Sequence, residues 1–589
     1  MTVDQLEADA VRQWAVTATT ALGSARTRID AVNLFPVPDS DTGTNVFLTV
    51  ASGSGALAAL GRDATAADVA VAFARGSLVG ARGNSGVIVS QFLEGFALSL
   101  ESRTDDGAVG SVAVAEAFGA AQLAARAAVA DPVEGTVLTA ATRAAEAAHG
   151  SALAGGSLVG VLGAAVDAAH ACVLESRDVL PVLREAGVVD AGAWAFVVLL
   201  EALRASVESR GHACPTSGVV TASFDEPGPR GQHGGSVRCT ASRVHVPPGV
   251  PREQVVRSER AGHPTAVARA GGEFEVMFLV EPAEDGGPDL GTALSARMRA
   301  VGDSVAVVGG HGVWQVHVHT DDPARAIHAG ALAAQRQITV RSVALQLPDA
   351  PEATAGRGSG GGLGVVVGTR ARSLVVDLAR TGAVVHVLTD RAPSTGELVR
   401  AIVDTGCADV AVLPGDPAAL ATARLVASRS PVSGAGVRVH VLPAVDDVSV
   451  VVAMAAVVES IDADADLRVG AVEVALRGLR TIVVDQPPAG PSPSAEQLAG
   501  LPCGVVLPSG GAIDAAGAVM AALADGVPRI VTILTGDRAD GSAVDALVLA
   551  VRTGHPESEV VVLGAGVDRP MLAIGLQPLV VPESRGGAS

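Results

Sequence analysis

A change in the pattern of apolar residues near residue 205 constrains the fold of this chain more than any other feature. Residues 1–205 hold Ala-rich stretches, such as Val112–Ala130 and Leu153–Leu174, with apolar residues at helical spacing. Residues 211–236 are rich in Gly, Pro, Ser and His and are interpreted as a linker. From about Val237 onward, short β-branched runs alternate with helical segments, which is typical of α/β layers. The chain is therefore predicted to be multidomain, with a helical domain first.

Three domains are predicted from these changes. An all-α domain spans 1–208, a small α+β unit spans 237–347 and an α/β domain spans 363–583, with Pro348–Gly364 as a second linker. A chain of 589 residues has room for about three or four domains. The main strands predicted after the first linker are Glu273–Val280, Val313–Thr320, Val365–Val367, Val384–Leu388, Val410–Leu413, Val437–Leu442, Ile530–Leu534 and Val560–Leu563.

Charge and composition narrow the function classes. The formal net charge of −20 and the pI of about 5.1 argue against a general nucleic-acid binder. No window offers the ~20 uninterrupted apolar residues of a membrane span, and residues 1–7 lack the basic start and apolar core of a signal peptide. Five scattered cysteines form no disulfide framework. We therefore expect a cytoplasmic protein without a membrane span.

All 42 basic residues are arginines, because the chain contains no lysine. A Walker A loop, the strand lysine of protein kinases and the Schiff-base lysine of pyridoxal enzymes are all excluded. Any phosphate chemistry in this chain must rely on metal ions, backbone amides or arginine.

The run NLFPVPDSDTGTN, residues 33–45, places two carboxylates two residues apart. Its two prolines fix φ and bar a helix, so the segment is predicted to be a rigid extended turn. Asp39 and Asp41 on one such turn suit Mg²⁺, which binds through one or two carboxylates and keeps other positions for water and phosphate. An Asp-rich surface turn explains the same residues, so this run alone leaves both interpretations open.

A second run, GARGNSGVIVSQ at residues 80–91, puts glycines before an apolar helical stretch. Backbone N–H groups at such a helix start can hold phosphate oxygens. Asn84 and Ser85 add side-chain donors, and Arg82 adds a fixed positive charge. A helix cap packed closely through its glycines is the alternative.

Two further runs carry polar residues near helix starts. In DPVEGTVLT, residues 131–139, Thr136 lies near a predicted cap. In VDAGAW, residues 189–194, Asp190 serves equally well as an N-cap or as a ligand.

The run VHVHTDDP, residues 316–323, places His317 and His319 on one face of a strand. Cys239 lies at the start of the same unit, and one Cys with two His suits Zn²⁺ when water or a fourth group completes the set. An incidental pair of histidines is the alternative. Either His can also act as an acid, a base or a transient phosphoryl acceptor.

Together, the four N-terminal runs resemble the catalytic domain of the fatty-acid kinase A (FakA-type) proteins, which is similar to the nucleotide-binding L subunit of dihydroxyacetone kinases (DhaL). The resemblance implies an eight-helix barrel with ATP and two Mg²⁺ at one end. The run at 316–323 also resembles the middle domain of that family, as does a preceding Cys-Thr. Ile533–Asp537 and Val561–Leu576 resemble its carboxy-terminal domain, expected to be an α/β unit of the DegV/FakB type.

The resemblance implies roles for individual residues. Catalysis is assigned to Asp39, Asp41, Arg82 and His317. Mg²⁺ is assigned to Asp39 and Asp41, with Asn33 as a further ligand, and Zn²⁺ to Cys239, His317 and His319. The residues assigned to the nucleotide are Thr44, Asn45, Asn84, Ser85, Gly86, Thr136, Asp190 and Gly192.

The implied activity is ATP- and Mg²⁺-dependent phosphorylation of a fatty-acid carboxylate, giving an acyl phosphate. A separate fatty-acid-binding carrier would present the acid and dock on the carboxy-terminal domain, and the family suggests a homodimer. Two alternatives stay open: phosphorylation of a small hydroxyl substrate, as in dihydroxyacetone kinases, and a non-catalytic nucleotide-binding regulator. Ser40 keeps the second alternative open, because the family usually has Gly between the two aspartates.

Overall fold

The computed structural model of the chain describes residues 5–35, 41–102, 109–129, 132–209, 272–282, 289–310, 312–343, 362–428, 437–485, 505–508 and 517–579, with 518 and 521 excepted. Asp39, Ser40 and Cys239 lie outside the described residues.

The first part of the chain is helical, apart from a short antiparallel pairing of β1 (Gln5–Leu6) with β2 (Val109–Gly110). The predicted helical first domain is confirmed, while its closure into a barrel stays a prediction. Its described helices are α1 (Ala8–Asp30), α2 (Thr42–Ala56), α3 (Ala66–Val79), α4 (Gly83–Glu101), α5 (Ser111–Ala127), α6 (Val137–Leu153), α7 (Leu158–Val179), α8 (Pro181–Ala186) and α9 (Ala191–Glu208).

An aromatic cluster lies at the centre of the helical domain. The ring of Trp14 meets Phe73 and Phe96 edge to face, with centroids 5.4 and 5.6 Å away. The Trp14 indole N–H donates to the Leu199 carbonyl at 3.0 Å, so the buried ring leaves no polar group unpaired. These contacts join α1, α3, α4 and α9, and many alanines at the other helix contacts permit close approach. The starts of α2 and α4 are therefore carried on a rigid scaffold.

The predicted helical stretch Leu153–Leu174 is wrong as a single element. Helix α6 ends at Leu153 and α7 begins at Leu158. Gly155 between them adopts φ +77°, a left-handed conformation that glycine reaches without steric cost. Ser157 then caps α7 by accepting from the Gly160 N–H at 3.2 Å.

Among the described helices, α7 alone is long and apolar enough to cross a membrane by length and composition. Asp167 and His170 interrupt it, and its apolar residues Val161, Val166 and Val173 belong to the core of the helical domain. A core helix of a globular domain passes the same test, so this is weak evidence for a span.

The rest of the described chain builds two sheets. The larger has eight strands in the order β10-β9-β7-β8-β6-β3-β5-β4. Strands β3 to β6 pair antiparallel, and β7 to β10 pair parallel. Its strands are β3 (Phe274–Glu281), β4 (Asp303–Gly310), β5 (Val313–Thr320), β6 (Ala334–Ser342), β7 (Leu363–Thr369), β8 (Val384–Val387), β9 (Asp409–Leu413) and β10 (Arg438–Val441).

The smaller sheet has the order β12-β11-β15-β13-β14. Its strands are β11 (Arg480–Asp485), β12 (Val505–Pro508), β13 (Arg529–Thr535), β14 (Glu559–Gly564) and β15 (Leu572–Pro578). The helices of these two regions are α10 (Asp289–Arg299), α11 (Pro323–Ala329), α12 (Val375–Arg380), α13 (Thr395–Asp404), α14 (Pro417–Ala427), α15 (Asp447–Glu459), α16 (Ala465–Gly478) and α17 (Gly541–Gly554).

The eight predicted strands are all present, and Val313–Thr320 has the predicted bounds. The prediction missed β4, β6, β11, β12 and β15. Strand β6 shows why, because Gln335, Arg336 and Gln337 follow one another and leave no apolar run to recognise. Burial between β3 and β8 on a shared sheet outweighs its weak local pattern.

The two later predicted domains share one sheet. Strand β6, from the predicted middle unit, pairs antiparallel with β8, from the predicted third domain, through Ile338 opposite Val387. The predicted boundary between 347 and 363 therefore falls within a continuous eight-stranded sheet, and the smaller sheet is a separate layer.

Candidate active site

The first and second sequence runs meet where α2 and α4 begin. The hydroxyls of Thr42 and Ser85 lie 3.2 Å apart. A Cβ on Gly86 would stand 2.3 Å from the Thr49 hydroxyl, and one on Gly83 would stand 2.5 Å from the Asn45 amide nitrogen. Gly83 also adopts φ +51°. Only glycine permits this close approach of the two helices.

The start of α4 offers backbone donors. Its N-cap residue is Arg82, which makes no side-chain cap. Gly83, Asn84 and Ser85 form the first turn, where helix N–H groups have no intrahelical acceptor. Such a turn attracts an anion through its N–H groups and the helix dipole.

The start of α2 is organised by Asp30, a residue that the sequence analysis missed. Asp30 accepts from the Thr44 N–H at 3.0 Å and from the Thr44 hydroxyl at 2.7 Å. Burial raises the pKa of Asp30 to about 6, against the hydrogen bonds from Thr44, and the nearby charge of Asp41 adds to the rise. Thr44, predicted to line a nucleotide pocket, therefore anchors its helix to the end of α1.

Asp41 is the N-cap residue of α2 and makes no side-chain cap. Its Oδ2 lies 3.1 Å from Nη2 of Arg341 on strand β6. Asp39 and Ser40 lie outside the described residues, so the predicted pair of carboxylates is represented here by Asp41.

Arg82 does not point free toward the phosphate loop. Its Nη1 pairs with the Asp404 carboxylate at the end of α13, and both side chains are buried. Burial lowers the pKa of Arg82, and Asp404 opposes that shift. The structure thus assigns the charge of Arg82 to an ion pair between the helical domain and the large sheet region.

The third and fourth runs also meet. Thr136 is the N-cap of α6 and accepts from the Leu138 N–H at 3.4 Å. Asp190 is the N-cap of α9 and accepts from the Ala193 N–H at 2.7 Å. Gly192 lies against Val137, since its added Cβ would stand 3.4 Å from the Val137 Cβ.

The cap interpretation of Thr136 and Asp190 is therefore confirmed, and the starts of α6 and α9 are adjacent. Burial raises the pKa of Asp190 to about 6, although backbone N–H groups lower it. Asn33 and Asn45 are both buried, at 3% and 5% exposure. Their assigned roles toward metal and nucleotide stay predictions.

A second cluster lies on the large sheet. His317, His319 and Glu275 offer ligand atoms within 4.8 Å of one another, and all three are buried. His317 Nε2 lies 2.9 Å from Glu275 Oε1, and His317 Nδ1 lies 3.2 Å from the Ser304 carbonyl. The Nδ1 of His319 is buried without a hydrogen-bond partner.

The chemistry of this donor set fits a divalent metal. Burial, with His317 beside it, lowers the pKa of His319 to about 4, so the ring is neutral and able to ligate near pH 7. Burial would raise the pKa of Glu275, but Arg341 and His317 hold it well below its usual range. Two His and one Glu is a ligand set that Zn²⁺ accepts. The predicted third ligand, Cys239, lies outside the described residues, and Glu275 takes part in the described cluster instead.

Arg341 connects the two clusters. Its Nε pairs with Glu275 Oε2, while its Nη2 lies 3.1 Å from Asp41 Oδ2. Burial lowers the pKa of Arg341, but the carboxylates of Glu275 and Asp41 outweigh it and hold that pKa well above its usual range. Sequence reasoning missed Glu275 and Arg341. A charged residue inside an apolar strand was a signal for Glu275, whereas Arg341 lies on the unpredicted strand β6.

Comparison with known proteins agrees with this two-part arrangement. The family model for the DAK2 domain matches residues 36–205, and that for the middle domain of FakA-like fatty acid kinases matches residues 271–347. The first match contains both helix starts described above, and the second contains Glu275, His317, His319 and Arg341.

Curated relatives match over part of their length. Protein YloV of Bacillus subtilis is 31% identical over 300 residues, covering 51% of this chain and 48% of that protein. An uncharacterized protein of Staphylococcus saprophyticus is 40% identical over 164 residues, covering 28% of this chain and 29% of that protein. The chain thus spans half or less of the length of these relatives.

Among solved structures, the dihydroxyacetone kinase from C. freundii in complex with AMP-PNP and Mg²⁺ matches 33% of each chain, at 20% identity and a TM-score of 0.26. The native form of that enzyme matches at 22% identity with the same TM-score. On its two family matches, the chain is a DAK2-domain protein with a middle domain of the FakA-like fatty acid kinase type.

Proposed function

We propose that this chain is the catalytic component of an ATP- and Mg²⁺-dependent phosphotransferase that acts on a fatty-acid carboxylate held by a separate carrier protein. The phosphoryl group would pass from ATP to a carboxylate oxygen and leave ADP and an acyl phosphate. The matches to the DAK2 domain and to the FakA-like middle domain support the phosphotransferase class. The fatty-acid substrate and the carrier rest on the resemblance alone.

One observation carries the proposal. The α4 start, which lacks a side-chain cap, lies beside Asp41 and Thr42, with the Thr42 and Ser85 hydroxyls 3.2 Å apart. Backbone donors for phosphate and a carboxylate for a cation are thereby brought together in a chain without lysine. Phosphoryl transfer depends mainly on positioning and charge stabilisation, which such a set supplies.

Individual residues would divide the work. Asp41, with Asp39, would hold Mg²⁺, which neutralises phosphate charge when bound. The N–H groups of the first turn of α4 and the Ser85 hydroxyl would hold phosphate oxygens. Asp30 would keep α2 in place through Thr44.

Calorimetric titration of the full chain with ATP, in Mg²⁺ and in excess chelator, tests the proposal. We expect binding that requires Mg²⁺ and that Asp41→Ala weakens about 10-fold or more, since a lost metal contact commonly costs that much. Asp63→Ala, which removes an exposed carboxylate of the same domain, is the matched control and should bind as the wild type does. Equal binding by Asp41→Ala and wild type would remove Asp41 from the site.

The substrate is tested by offering ATP with two acceptors in parallel. We expect acyl phosphate, trapped with hydroxylamine, only when a fatty-acid-loaded carrier protein is present. Phosphorylation of dihydroxyacetone instead would favour the small-hydroxyl alternative. Mg²⁺-dependent ATP binding without transfer to either acceptor would favour a regulator. Zn²⁺ at Glu275, His317 and His319 and a homodimer stay part of the proposal.

A further inference from the structure

The cation beside the candidate metal ligand comes from the sheet region, outside the helical domain. Arg341 Nη2 lies 3.1 Å from Asp41 Oδ2, and Arg341 Nε pairs with Glu275. Glu275 is fixed in turn by His317, whose Nε2 lies 2.9 Å from Oε1. The guanidinium is therefore held from behind by a buried carboxylate and presented toward the start of α2.

The other arginines near this position are already engaged. Arg82 pairs with Asp404 in a buried ion pair. Arg26 lies over the Phe47 ring, with its guanidinium carbon 5.6 Å from the centroid. Since the chain has no lysine, Arg341 is the described cation best placed to meet negative charge that binds beside Asp41.

The donors of Arg341 leave room for a ligand. A guanidinium carries five N–H donors in a rigid fork. Nε and Nη2 contact Glu275 and Asp41, while Nη1 has no hydrogen-bond acceptor among the described residues. The side chain is 16% exposed, so it is ordered by its partners and still reachable.

We propose that Arg341 contacts the transferred phosphoryl group from the sheet region, with Glu275 and His317 as its positioning residues. The inference rests on the proposed phosphotransferase function and goes beyond it by naming the group that meets the transferring phosphate. Negative charge on the phosphoryl oxygens is what an arginine supplied within the same chain stabilises in other phosphotransferases. Arg341 forms no covalent bond and keeps its proton throughout.

The test compares two ligands that need no acceptor. The full chain is titrated with ADP and Mg²⁺, and then with ADP, Mg²⁺ and aluminium fluoride, which mimics the transferring phosphoryl group. We expect aluminium fluoride to tighten ADP binding about 100-fold or more in the wild type, as mimics of a transition state do. In Arg341→Gln the tightening should be lost, while ADP and ATP binding with Mg²⁺ stays within a few-fold of wild type.

Arg336→Gln is the matched control. Arg336 lies on the same strand and pairs with Glu281, away from Asp41, so this variant should tighten as the wild type does. Arg341→Lys keeps one charge and tests the fork, and it should recover only part of the effect. Glu275→Gln should reduce the tightening less than Arg341→Gln does, because it loosens the guanidinium without removing it.

Chemical rescue separates a direct contact from a structural one. We expect millimolar guanidinium, added to Arg341→Ala, to restore part of the tightening and to leave the wild type unchanged. Tightening in Arg341→Gln equal to wild type, or none in the wild type that binds ATP, would overturn the inference. Failure of the wild type to bind ATP with Mg²⁺ would instead reject the proposed function itself.

Discussion

At the scale of single residues, burial decides how the ionisable groups behave. Asp30, Asp190 and His319 all have shifted pKa values because they are removed from water, and hydrogen bonds or neighbouring charges only modify those shifts. Glu275 and Arg341 behave differently, because each stays charged through its partner. Candidate sites and caps in this protein therefore use the same residue types in different environments.

Asp190 gives the protein a stability term that depends on pH. Its folded pKa of about 6 exceeds its ordinary 3.8, so the term is fully present below pH 3.8 and is lost as pH rises through 6. Asp190→Asn keeps a cap but cannot ionise. Between pH 4 and pH 7.5, the wild type should lose about 2 kcal/mol that the variant retains, since one pKa unit corresponds to about 1.4 kcal/mol.

Urea unfolding of dilute protein, followed by tryptophan fluorescence at both pH values, measures this difference. Trp194 lies on the helix that Asp190 caps, so it reports on the relevant domain. Parallel pH profiles for the two proteins would mean that Asp190 is not buried as described.

At the scale of secondary structure, glycines set how closely the helices approach. A Cβ on Gly95 of α4 would lie 2.7 Å from the Ala120 carbonyl and 2.8 Å from the Ala124 Cβ on α5. Gly119, on α5 itself, has no atom within 4 Å of such a Cβ. The same residue type therefore serves packing at one position and has no packing role at the other.

We expect opposite effects from two alanine substitutions. Gly95→Ala should destabilise the protein by about 1–3 kcal/mol through overpacking of α4 against α5. Gly119→Ala, its matched control, should be neutral or stabilise by up to about 1 kcal/mol through higher helix propensity. Denaturant unfolding of both variants checks the sign, and a stable Gly95→Ala would mean that the two helices can separate at little cost.

At the scale of the whole molecule, the helical domain rests on the large sheet at the end that carries the α4 start. Gln315 of β5 donates to the Ala81 carbonyl at 2.8 Å, and Arg82 pairs with Asp404. Apolar contacts of Leu78 and Val87 with Val308 on β4 lie beside them. The candidate phosphate loop is thus part of the contact between regions, which explains how a sheet residue such as Arg341 reaches Asp41.

Removing one partner of the Arg82–Asp404 pair should be costly. Asp404→Ala leaves Arg82 buried without its carboxylate, which costs about 3–5 kcal/mol for a buried pair. Glu175→Ala breaks the exposed Arg143–Glu175 pair and should cost at most about 1 kcal/mol. Urea unfolding compares the two, and equal costs would show that water reaches the Arg82 pair.

What sequence alone determined is mostly local. The helices of the first domain and the apolar strands follow from periodicity over a few residues, and the polar runs were recognisable because Pro, Gly and cap residues restrict the backbone there. Strand β6 escaped because its residues are polar and its stability comes from pairing with β3 and β8. Only the tertiary structure decided which charges meet. Arg82, adjacent to the phosphate loop in sequence, pairs with Asp404, while Arg341, 300 residues beyond Asp41, reaches that carboxylate. Electrostatic partners depend on distance in space and on burial, and neither quantity is contained in a local pattern.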